Sequence, residues 1–542
     1  MDDHRKSLKL MGKTLAPGLG SGKVFVYRNV LTRLDEFYAI EQHQIDEESQ
    51  RFEQAVASVS EDLASLSGRV RQEIDRHLSE VFQAHIAIVQ DVSLQHEVYK
   101  EIREELVSAG LAVSSVFRRW EMRFRSMEAN IAAQKGDDIS DLARRLISTL
   151  AGVRGHALEH IPLGSVLVAS RLLPSDTVCL ARRSTSAAIL EAGGPASHAA
   201  LFAHEIGLPC VSGITDVVEL LTPGDEVLVD ADAAEVIVNP DQSQQTSFQT
   251  KQQQREQASQ KARHQAQEPA ITRDGRTIKV LANVGSPEDT REAMRNGAEG
   301  IGLYRIERVY LGRQEPPDCD ELLEEMCSTL EPARGLPVYV RLLDIGADKP
   351  LPFMESFREI NPSLGRRGVR FLLEYPDILL TQLKTLLKLC GDFDLHIIVP
   401  MVTLPDDLRQ VKQALTNAAA RSRITCMPKL GAMIETPAAA LMAAEIAQYA
   451  DFMSFGTNDL TQYTFAVDRE NAAVDLYYND SQPAIFKLLK TVREDVPDMP
   501  LSICGELASR EAYVCKILAC GITTLSVAPP SIPAIKQAIR QI

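Results

Sequence analysis

Apolar positions in the first part of the chain recur every three, four or seven residues, which is the spacing of one helix face. The most regular run consists of Ile45, Phe52, Val56, Val59, Leu63, Leu66 and Val70. Residues 81–98 and 102–124 continue in the same way, and residues 137–150 predict a further helix. The pattern therefore predicts a bundle of roughly four helices, which suits a docking surface and a scaffold equally well.

Short apolar runs on either side of this helical segment predict strands. They comprise residues 24–27, 165–169, 187–191, 226–229 and 235–238, the last two forming a hairpin. The glycines within residues 9–23 predict a tight turn before an edge strand. A phosphate-binding loop is less favoured, because Lys23 is followed by Val24 and not by Ser or Thr.

These patterns divide the chain into four predicted parts. Residues 1–34 and 151–240 are expected to form one small α/β domain, with the helical segment 35–150 inserted into it. Residues 241–269 include a polar, Gln-rich stretch with almost no apolar face, which is typical of a partly helical linker. Residues 270–542 alternate short apolar strands with helices.

The alternation in the last part predicts a (β/α)8 TIM barrel, whose catalytic groups belong at the carboxyl ends of the strands. The eight predicted strands are residues 278–283, 300–305, 338–343, 396–401, 430–435, 452–455, 501–504 and 524–527. The expected fold class is therefore a multidomain α/β protein: an α/β domain with an inserted helical bundle, followed by the barrel.

Composition limits the classes of partner and compartment. The net charge of −16 over 542 residues argues against a nucleic-acid-binding surface. No apolar run approaches the ~20 residues of a membrane helix, and the amino terminus does not resemble a signal peptide. Nine cysteines without a Cys-x-x-Cys pair argue against a disulfide framework or a structural zinc site, so we expect a reducing, cytoplasmic environment.

The segment Gly193-Gly-Pro-Ala-Ser-His198 is the first candidate for chemistry. Two glycines make a turn, Ser197 is a possible cap, and residues 199–206 predict a short helix. His198 would then lie near a helix amino terminus, where backbone N–H groups and the helix dipole favour an anion. The site suits a histidine that accepts a phosphoryl group, although a histidine that only caps the helix fits the same pattern.

The second candidate is a set of polar residues that follow the predicted barrel strands. The set comprises Arg305, Arg341, Arg366, Arg367, Glu435, Asn458, Asp459, Arg469 and Cys504. Guanidinium groups chelate phosphate and carboxylate, so several of them together predict a small, highly anionic substrate. Glu435 and Asp459 offer the hard oxygen ligands that Mg²⁺ takes. Cys504 could serve as an acid or base on carbon, or be a small buried hydrophobe.

Several longer motifs carry a resemblance to a known family. They include the Gly-Gly-x-x-Ser-His segment, Asp344-Ile-Gly-x-Asp-Lys349, Asn361-Pro-x-Leu-Gly-x-Arg367, Glu435-Thr-Pro, Gly456-Thr-Asn-Asp-Leu460 and Cys504-Gly-Glu506. The chain from about Lys9 onward resembles the enzyme I family of the bacterial phosphotransferase system, which uses phosphoenolpyruvate (PEP). Residues 82–91 also resemble the segment of that family that docks the carrier protein HPr.

The resemblance implies a role for each matched residue. His198 corresponds to the phosphoacceptor, Cys504 to the acid that protonates the enolate carbon, and Glu435 and Asp459 to the Mg²⁺ ligands. The positions implied to bind PEP are Arg305, Arg341, Lys349, Arg367, Asn458 and Arg469. The implied reaction moves the phosphoryl group from PEP to histidine, releasing pyruvate, and then to an HPr-like carrier. The resemblance also implies a homodimer through the barrel.

The sequence departs from the family pattern around the histidine. Ala196 stands where the family usually has Thr, so a hydroxyl near the histidine is absent. His204 stands where the family usually has Arg, so the positive charge beside the phosphate becomes pH-dependent. Ala347 replaces a glycine in the Asp-Ile-Gly motif. We therefore expect phosphoryl transfer that is slower or differently tuned.

Two other functions fit part of the sequence. PEP synthase and pyruvate phosphate dikinase share the phosphohistidine swivelling domain, predicted here for residues 1–34 and 151–240, and the barrel. They also need a large ATP-binding domain, which residues 1–150 are too short and too helical to supply. The other alternative is a regulatory paralogue that senses PEP with weak or no phosphoryl transfer. It predicts PEP binding without pyruvate release.

Overall fold

The structure is a computed structural model, and it describes residues 7–27, 38–73, 76–125, 130–152, 158, 161–181, 185–193, 200, 202–203, 206–311, 313–346, 351, 353, 359, 361–469, 474 and 477–542. The chain divides into two compact units, Met1–Gln253 and Gln254–Ile542. The finer division into four parts stays a prediction.

The inserted segment is helical throughout most of its length. Its helices are α1 (Ile45–Glu73), α2 (Arg76–Val89), α3 (Val92–Glu104), α4 (Ala109–Arg125) and α5 (Asn130–Leu150). The predicted apolar face of α1 packs into a buried core, for example through Phe52, Leu63 and Val70. The continuous helical pattern over 81–98 is interrupted in the structure, because the Asp91 carboxylate accepts a hydrogen bond from Leu94 N and begins a new helix.

The first unit also contains an eight-stranded sheet. Its elements are β1 (Leu8–Met11), β2 (Lys13–Ala16), β3 (Leu19–Tyr27), β4 (Val166–Ala169), α6 (Pro174–Ala181), β5 (Ala187–Leu190), β6 (Cys210–Ser212), α7 (Val217–Leu220), β7 (Glu226–Asp230) and β8 (Glu235–Val238). The strand order is β1-β8-β7-β3-β4-β5-β6-β2. Strand β3 pairs in parallel with β4 and antiparallel with β7, so the helices α1–α5 are inserted between two neighbouring strands.

The expectation that the glycine-rich segment precedes an edge strand is wrong. Gly20 and Gly22 lie inside β3, and β3 is a central strand. A Cβ atom on Gly20 would lie 2.2 Å from the Ser186 carbonyl oxygen, and one on Gly22 would lie 2.1 Å from the Gly164 carbonyl oxygen. These glycines are therefore required by close backbone approach.

A buried polar network joins α5 to the sheet domain. Arg144 Nη1 of α5 donates to Asp176 Oδ1 of α6 at 2.6 Å and to the Tyr27 hydroxyl of β3 at 2.5 Å. Arg144 Nη2 donates to Asp141 Oδ1 at 2.7 Å. Burial alone would raise the pKa of Asp141, but the positive charges of Arg144 and Arg145 outweigh that effect, and the pKa is lowered to about 2. The ion pairs satisfy charges that would otherwise be costly to bury.

Residues 82–91, which resemble the HPr-docking segment, are not exposed at their two aromatic positions. Phe82 and His85 are both fully buried, and His85 Nε2 lies 2.9 Å from Asp138 Oδ1. Their side chains therefore belong to the bundle core, and any docking contact from this segment must come from its other residues.

The second unit is a closed barrel. Its elements, preceded by the linker helix α8 (Gln242–His264), are β9 (Ala270–Ile271), β10 (Thr277–Val284), α9 (Pro287–Arg295), β11 (Ile301–Arg305), α10 (Glu307–Tyr310), α11 (Cys319–Leu330), β12 (Pro337–Arg341), α12 (Val369–Glu374), α13 (Pro376–Leu389), β13 (Asp394–Val399), α14 (Pro405–Ser422), β14 (Lys429–Ile434), α15 (Pro437–Leu441), α16 (Ala443–Ala447), β15 (Phe452–Phe455), α17 (Thr457–Thr464), α18 (Pro483–Asp495), β16 (Leu501–Ile503), α19 (Glu511–Ala519), β17 (Thr524–Val527) and α20 (Ile532–Arg540).

Strands β10 to β17 are parallel, and β10 pairs with both β11 and β17, which closes the barrel. The predicted fold class, a multidomain α/β protein ending in a (β/α)8 barrel, is confirmed. Within the described part of the chain, no helix is long and apolar enough to cross a membrane.

One disulfide bond departs from the expectation drawn from the cysteine pattern. Cys390, at the end of α13, is bonded to Cys426, three residues before β14. Both residues precede barrel strands, so the bond lies at the amino-terminal ends of the strands. The cysteine spacing did not signal it, because the two residues are distant in sequence and meet only when the barrel closes.

Candidate active site

The barrel brings the predicted polar residues to one end. Arg305 is the last residue of β11, Arg341 is the last residue of β12, and Glu435 directly follows β14. Asp459 lies in the first turn of α17 after β15, and Cys504 directly follows β16. Because parallel strands end on the same side of a barrel, these five side chains share its carboxyl-terminal face.

Arg341 is held by two carboxylates. Its Nη2 donates to Glu307 Oε1 at 2.8 Å, and its Nη1 lies 3.1 Å from Asp344 Oδ2. Burial alone would lower the pKa of Arg341, but Glu307, Asp344 and Glu435 outweigh that effect and raise it. Its Nε is buried without a hydrogen-bond partner among the described residues, which leaves one donor available.

Arg367 connects two strand ends. Its Nε and Nη2 donate to the two carboxylate oxygens of Asp344, each at 3.0 Å, while its Nη1 donates to Asp459 Oδ1 at 2.7 Å. The following residue, Gly368, has φ 58°, and a Cβ there would lie 2.7 Å from Met401 Cβ. The glycine therefore lets the chain turn tightly enough to present the guanidinium inward.

Arg305 differs from the other two arginines. No ion pair to Arg305 is seen in the described residues, and its side chain stays partly open to solvent. Nearby protein removes water from the guanidinium and lowers its pKa, and the neighbouring positive charge of Arg341 lowers it further. Two adjacent cations, of which Arg305 forms no ion pair with any described residue, favour binding of an anion.

Glu435 is buried in a negative environment. One of its oxygens, Oε1, accepts a short hydrogen bond from Met401 N. Burial, together with the carboxylates of Asp459 and Asp344, raises the pKa of Glu435 to about 8. A divalent cation would relieve this repulsion, so Glu435 and Asp459 fit a Mg²⁺ site. No cluster of three or more His, Cys, Asp or Glu ligands occurs in the described residues.

Cys504 lies in the apolar lining of the barrel. It packs in a cluster with Leu303, Ile398, Met433 and Phe452. Burial raises the pKa of its thiol, while the Ser454 hydroxyl, Arg305 and Arg341 act in the opposite direction. The thiol therefore stays protonated at neutral pH and can give up a proton next to positive charge.

Asn458 and Arg469 border the same face. Asn458 Oδ1 accepts from Glu506 N at 3.0 Å, and Arg469 Nη1 lies 3.7 Å from Asp459 Oδ2. Arg366, in contrast, is exposed, and its Nε lies 3.4 Å from Glu374 Oε2, so it does not join the cluster.

The predicted residues Lys349 and His198 lie outside the described residues, as do Ala196 and His204. The expected short helix of residues 199–206 is described only in part, with helical backbone at Ala200, Phe202 and Ala203.

Three residues of the site had no assigned role in the sequence analysis. Glu307 and Asp344 hold the arginines, and the Tyr463 hydroxyl accepts from Arg367 Nη1 at 3.2 Å. All three follow barrel strands, and Asp344 stands inside the Asp344-Ile-Gly motif. Their position was a signal, but the pairing of each carboxylate with a given arginine required the folded structure.

Protein-family comparisons match almost the whole chain in three parts. Three family models of PEP-utilising enzymes match the chain: the N-terminal model over residues 11–135, the mobile-domain model over residues 161–234 and the PEP-binding-domain model over residues 259–542. The last match alone covers more than half of the chain. The chain therefore belongs to the family of PEP-utilising enzymes.

Three curated relatives from that family carry the same name. A phosphoenolpyruvate-protein phosphotransferase of Bacillus sp. (strain S) is 34% identical over 505 residues, covering 92% of this chain and 87% of the relative. The protein of that name from Haemophilus influenzae is 32% identical over 540 residues, covering 98% and 94%. The one from Geobacillus stearothermophilus is 34% identical, covering 90% and 86%.

Proposed function

We propose that this chain transfers the phosphoryl group of PEP to its own His198, releases pyruvate, and passes the group to a histidine of an HPr-like carrier protein. The observation that carries the proposal is the juxtaposition of Arg305 and Arg341 with the Cys504 thiol at the carboxyl-terminal end of the barrel. PEP needs this combination, because it is a small anion whose carbon must gain a proton when phosphate leaves.

The proposed reaction assigns a task to each group. Arg305 and Arg341 bind the phosphate and carboxylate oxygens, and Arg469, Asn458 and Lys349 add further contacts. The bridging P–O bond of PEP breaks as an imidazole nitrogen of His198 bonds to phosphorus, which leaves the enolate of pyruvate. The enolate carbon then takes the proton of the Cys504 thiol, and the S–H electron pair stays on sulfur.

Glu435 and Asp459 would hold Mg²⁺, and Arg367 would keep Asp459 in place. When bound, the ion supplies Lewis-acid stabilisation of negative charge on substrate oxygens. The raised pKa of Glu435 supports this assignment, because burial and the nearby carboxylates of Asp459 and Asp344 disfavour its negative charge unless a cation binds there.

The remaining elements of the proposal are the partners and the compartment. The carrier is an HPr-like protein, the chain forms a homodimer through the barrel, and it acts in the cytoplasm. Residues 1–34 and 151–240 would be the mobile phosphohistidine domain, 35–150 the HPr-docking insertion, 241–269 the linker and 270–542 the PEP-binding barrel.

The test is to incubate the purified chain with Mg²⁺ and PEP labelled in its phosphate. We expect an acid-labile, base-stable label on the wild-type protein together with pyruvate release, and neither for His198→Ala. His264→Ala, which changes an exposed histidine of α8, is the matched control and should label normally. Label retained by His198→Ala would refute the assignment of the acceptor, whereas PEP binding without label in the wild type would indicate the regulatory paralogue.

A further inference from the structure

A buried hydroxyl beside the candidate proton donor has no task in the reaction described so far. Ser454 lies in β15 and is fully inaccessible to solvent. Its hydroxyl donates to the Cys504 sulfur across 3.7 Å, and among the described residues no other hydrogen-bond partner of this hydroxyl is found. Burying a hydroxyl is costly unless it is hydrogen-bonded, so this contact with sulfur needs a reason.

The direction of the hydrogen bonds around the sulfur is informative. The Cys504 thiol donates toward the Phe455 carbonyl oxygen at 3.4 Å, while Ser454 donates to the sulfur from another side. A donor to sulfur contributes little to a neutral thiol, which is a weak acceptor, but it stabilises a thiolate. The contact is therefore worth most after the proton has left.

The backbone of Cys504 is fixed independently of Ser454. Cys504 N donates to the Phe455 carbonyl oxygen at 3.0 Å. Asn283 Nδ2 donates to the Cys504 carbonyl oxygen at 3.1 Å, and Ser526 Oγ donates to Asn283 Oδ1 at 2.7 Å. Removal of the Ser454 hydroxyl should thus leave the sulfur in place and change only its electrostatic surroundings.

We infer that Ser454 is a positioning residue that stabilises the thiolate left on Cys504 when the enolate carbon takes the thiol proton. This inference rests on the proposed function, because it concerns the same step: the S–H bond breaks, a C–H bond forms, and the electron pair remains on sulfur. Solvent then returns a proton to the thiolate. The charged groups that also face Cys504 are Arg305 of β11, Arg341 of β12 and Glu435 after β14.

The first measurement is the ionisation of Cys504 in the full chain, free of metal and substrate. Thiolate ultraviolet absorbance is followed against pH for the wild type, Ser454→Ala, Ser454→Thr and Ser502→Ala, each referenced to the same protein carrying Cys504→Ala. We expect the midpoint pH of thiolate formation in Ser454→Ala to be higher than in the wild type by about one pH unit, because a hydrogen-bond donor to a charged group is lost. At a pH below both midpoints, this corresponds to a roughly tenfold smaller thiolate fraction. Ser454→Thr keeps the hydroxyl and should restore the wild-type profile.

Ser502→Ala is the matched control. Ser502 is paired with Ser454 in the sheet register, but its hydroxyl donates to the Met453 carbonyl oxygen at 3.5 Å and not to sulfur. Its midpoint should equal that of the wild type. An equal shift in Ser502→Ala, or no shift in Ser454→Ala, would overturn the inference.

The second measurement is the rate of pyruvate formation from PEP with Mg²⁺. Ser454→Ala should lower kcat by up to about tenfold and leave KM for PEP unchanged, because Ser454 contacts the sulfur and not the substrate. A raised KM with unchanged kcat would contradict the inference. If the wild type forms no pyruvate while the ionisation shift is present, the proposed function fails and the role of Ser454 toward sulfur stands.

Discussion

Asp344 occupies the centre of the charged cluster. It accepts two hydrogen bonds from Arg367 and lies 3.1 Å from Arg341 Nη1, so one carboxylate orients two guanidinium groups. Arg341 in turn has Glu307 as a second partner. A pair of long cationic side chains is thereby fixed before any anion arrives, which reduces the reorganisation needed at the moment of reaction.

Replacement of this carboxylate should affect turnover more than folding. We expect Asp344→Asn to lower kcat/KM for PEP by roughly 10- to 100-fold, because an amide cannot accept the bidentate contact and its NH2 group faces a guanidinium. The measurement is pyruvate release with varied PEP. The control is Asp407→Asn, in which a carboxylate that accepts from Thr403 N and Leu404 N is lost but no contact to an arginine of the site is removed. Equal losses in both variants would contradict the prediction.

The sequence predicted several of the described residues that reach the site, but not their pairing. Arg305, Arg341 and Cys504 were predictable, because strand-end positions in a parallel barrel converge by topology. Arg366 and Arg367 are neighbours with equal chemistry, and only the folded loop around Gly368 decides that Arg367 turns inward. Glu307 and Asp344 could be seen as strand-end residues, but which arginine each one holds depends on side-chain directions that the sequence does not contain.

Among the elements, the barrel strands follow their sequence pattern closely. Strand β15 coincides with the prediction, because its short apolar run is bounded by polar residues. The bundle was less predictable: residues 102–124 read as one helix, yet the chain leaves the helical conformation at Leu106, where φ is 52°. No glycine marks that break, so periodicity alone could not place it.

The disulfide bond between α13 and the segment before β14 should stabilise the barrel without affecting catalysis. Its sequence separation of 36 residues corresponds to roughly 4 kcal/mol of loop-closure entropy in the unfolded chain. We expect the double variant Cys390→Ala/Cys426→Ala to unfold at lower temperature while keeping the wild-type rate of pyruvate release. The exposed free thiol variant Cys515→Ala is the control. An unchanged unfolding temperature in the double variant would contradict the prediction.

The network between α5 and α6 predicts an acid-sensitive first unit. Because the pKa of folded Asp141 is about 2, below the value of 3.8 in an unfolded chain, its contribution to stability is present above pH ~4 and is lost as the pH falls toward ~2. The contribution is about 2 kcal/mol. Asp141→Asn should therefore be less stable than the wild type at neutral pH and lose less stability on acidification.

The measurement for this prediction is urea unfolding of the full chain at several pH values. Asp62→Asn, at an exposed position of α1, is the control and should follow the wild-type pH dependence. A parallel decline of the wild type and Asp141→Asn would show that Asp141 does not carry the effect.

For the whole molecule, the division into two compact units has a thermodynamic consequence. All of the described site residues belong to Gln254–Ile542, and the boundary between the units falls within the polar helix α8. A ligand that binds only to the folded barrel stabilises the barrel by mass action. The two units should therefore respond differently to substrate.

Calorimetry of the full-length His198→Ala protein tests this, since that variant should bind PEP without consuming it. At a PEP concentration about 100-fold above its Kd, with Mg²⁺, we expect the free energy of unfolding of the barrel to rise by roughly 3 kcal/mol, so its thermal transition moves to a higher temperature. The transition of the other unit should stay at the same temperature. Arg305→Gln should abolish the gain. An equal shift of both transitions would show that PEP stabilises both units and not the barrel alone.

The ion pairs of Arg144 also limit how such a chain could evolve by exchange of parts. The helical insertion leaves and re-enters the sheet domain between two adjacent strands, so it looks like a cassette that could be swapped between relatives. Its guanidinium, however, has one carboxylate partner on each side of the junction, Asp141 within the insertion and Asp176 outside it. A chimaera that takes Asp176 from one parent and a neutral residue at position 144 from the other removes the guanidinium partner of a buried carboxylate, so we expect recombination at these borders to succeed best when both residues come from the same parent.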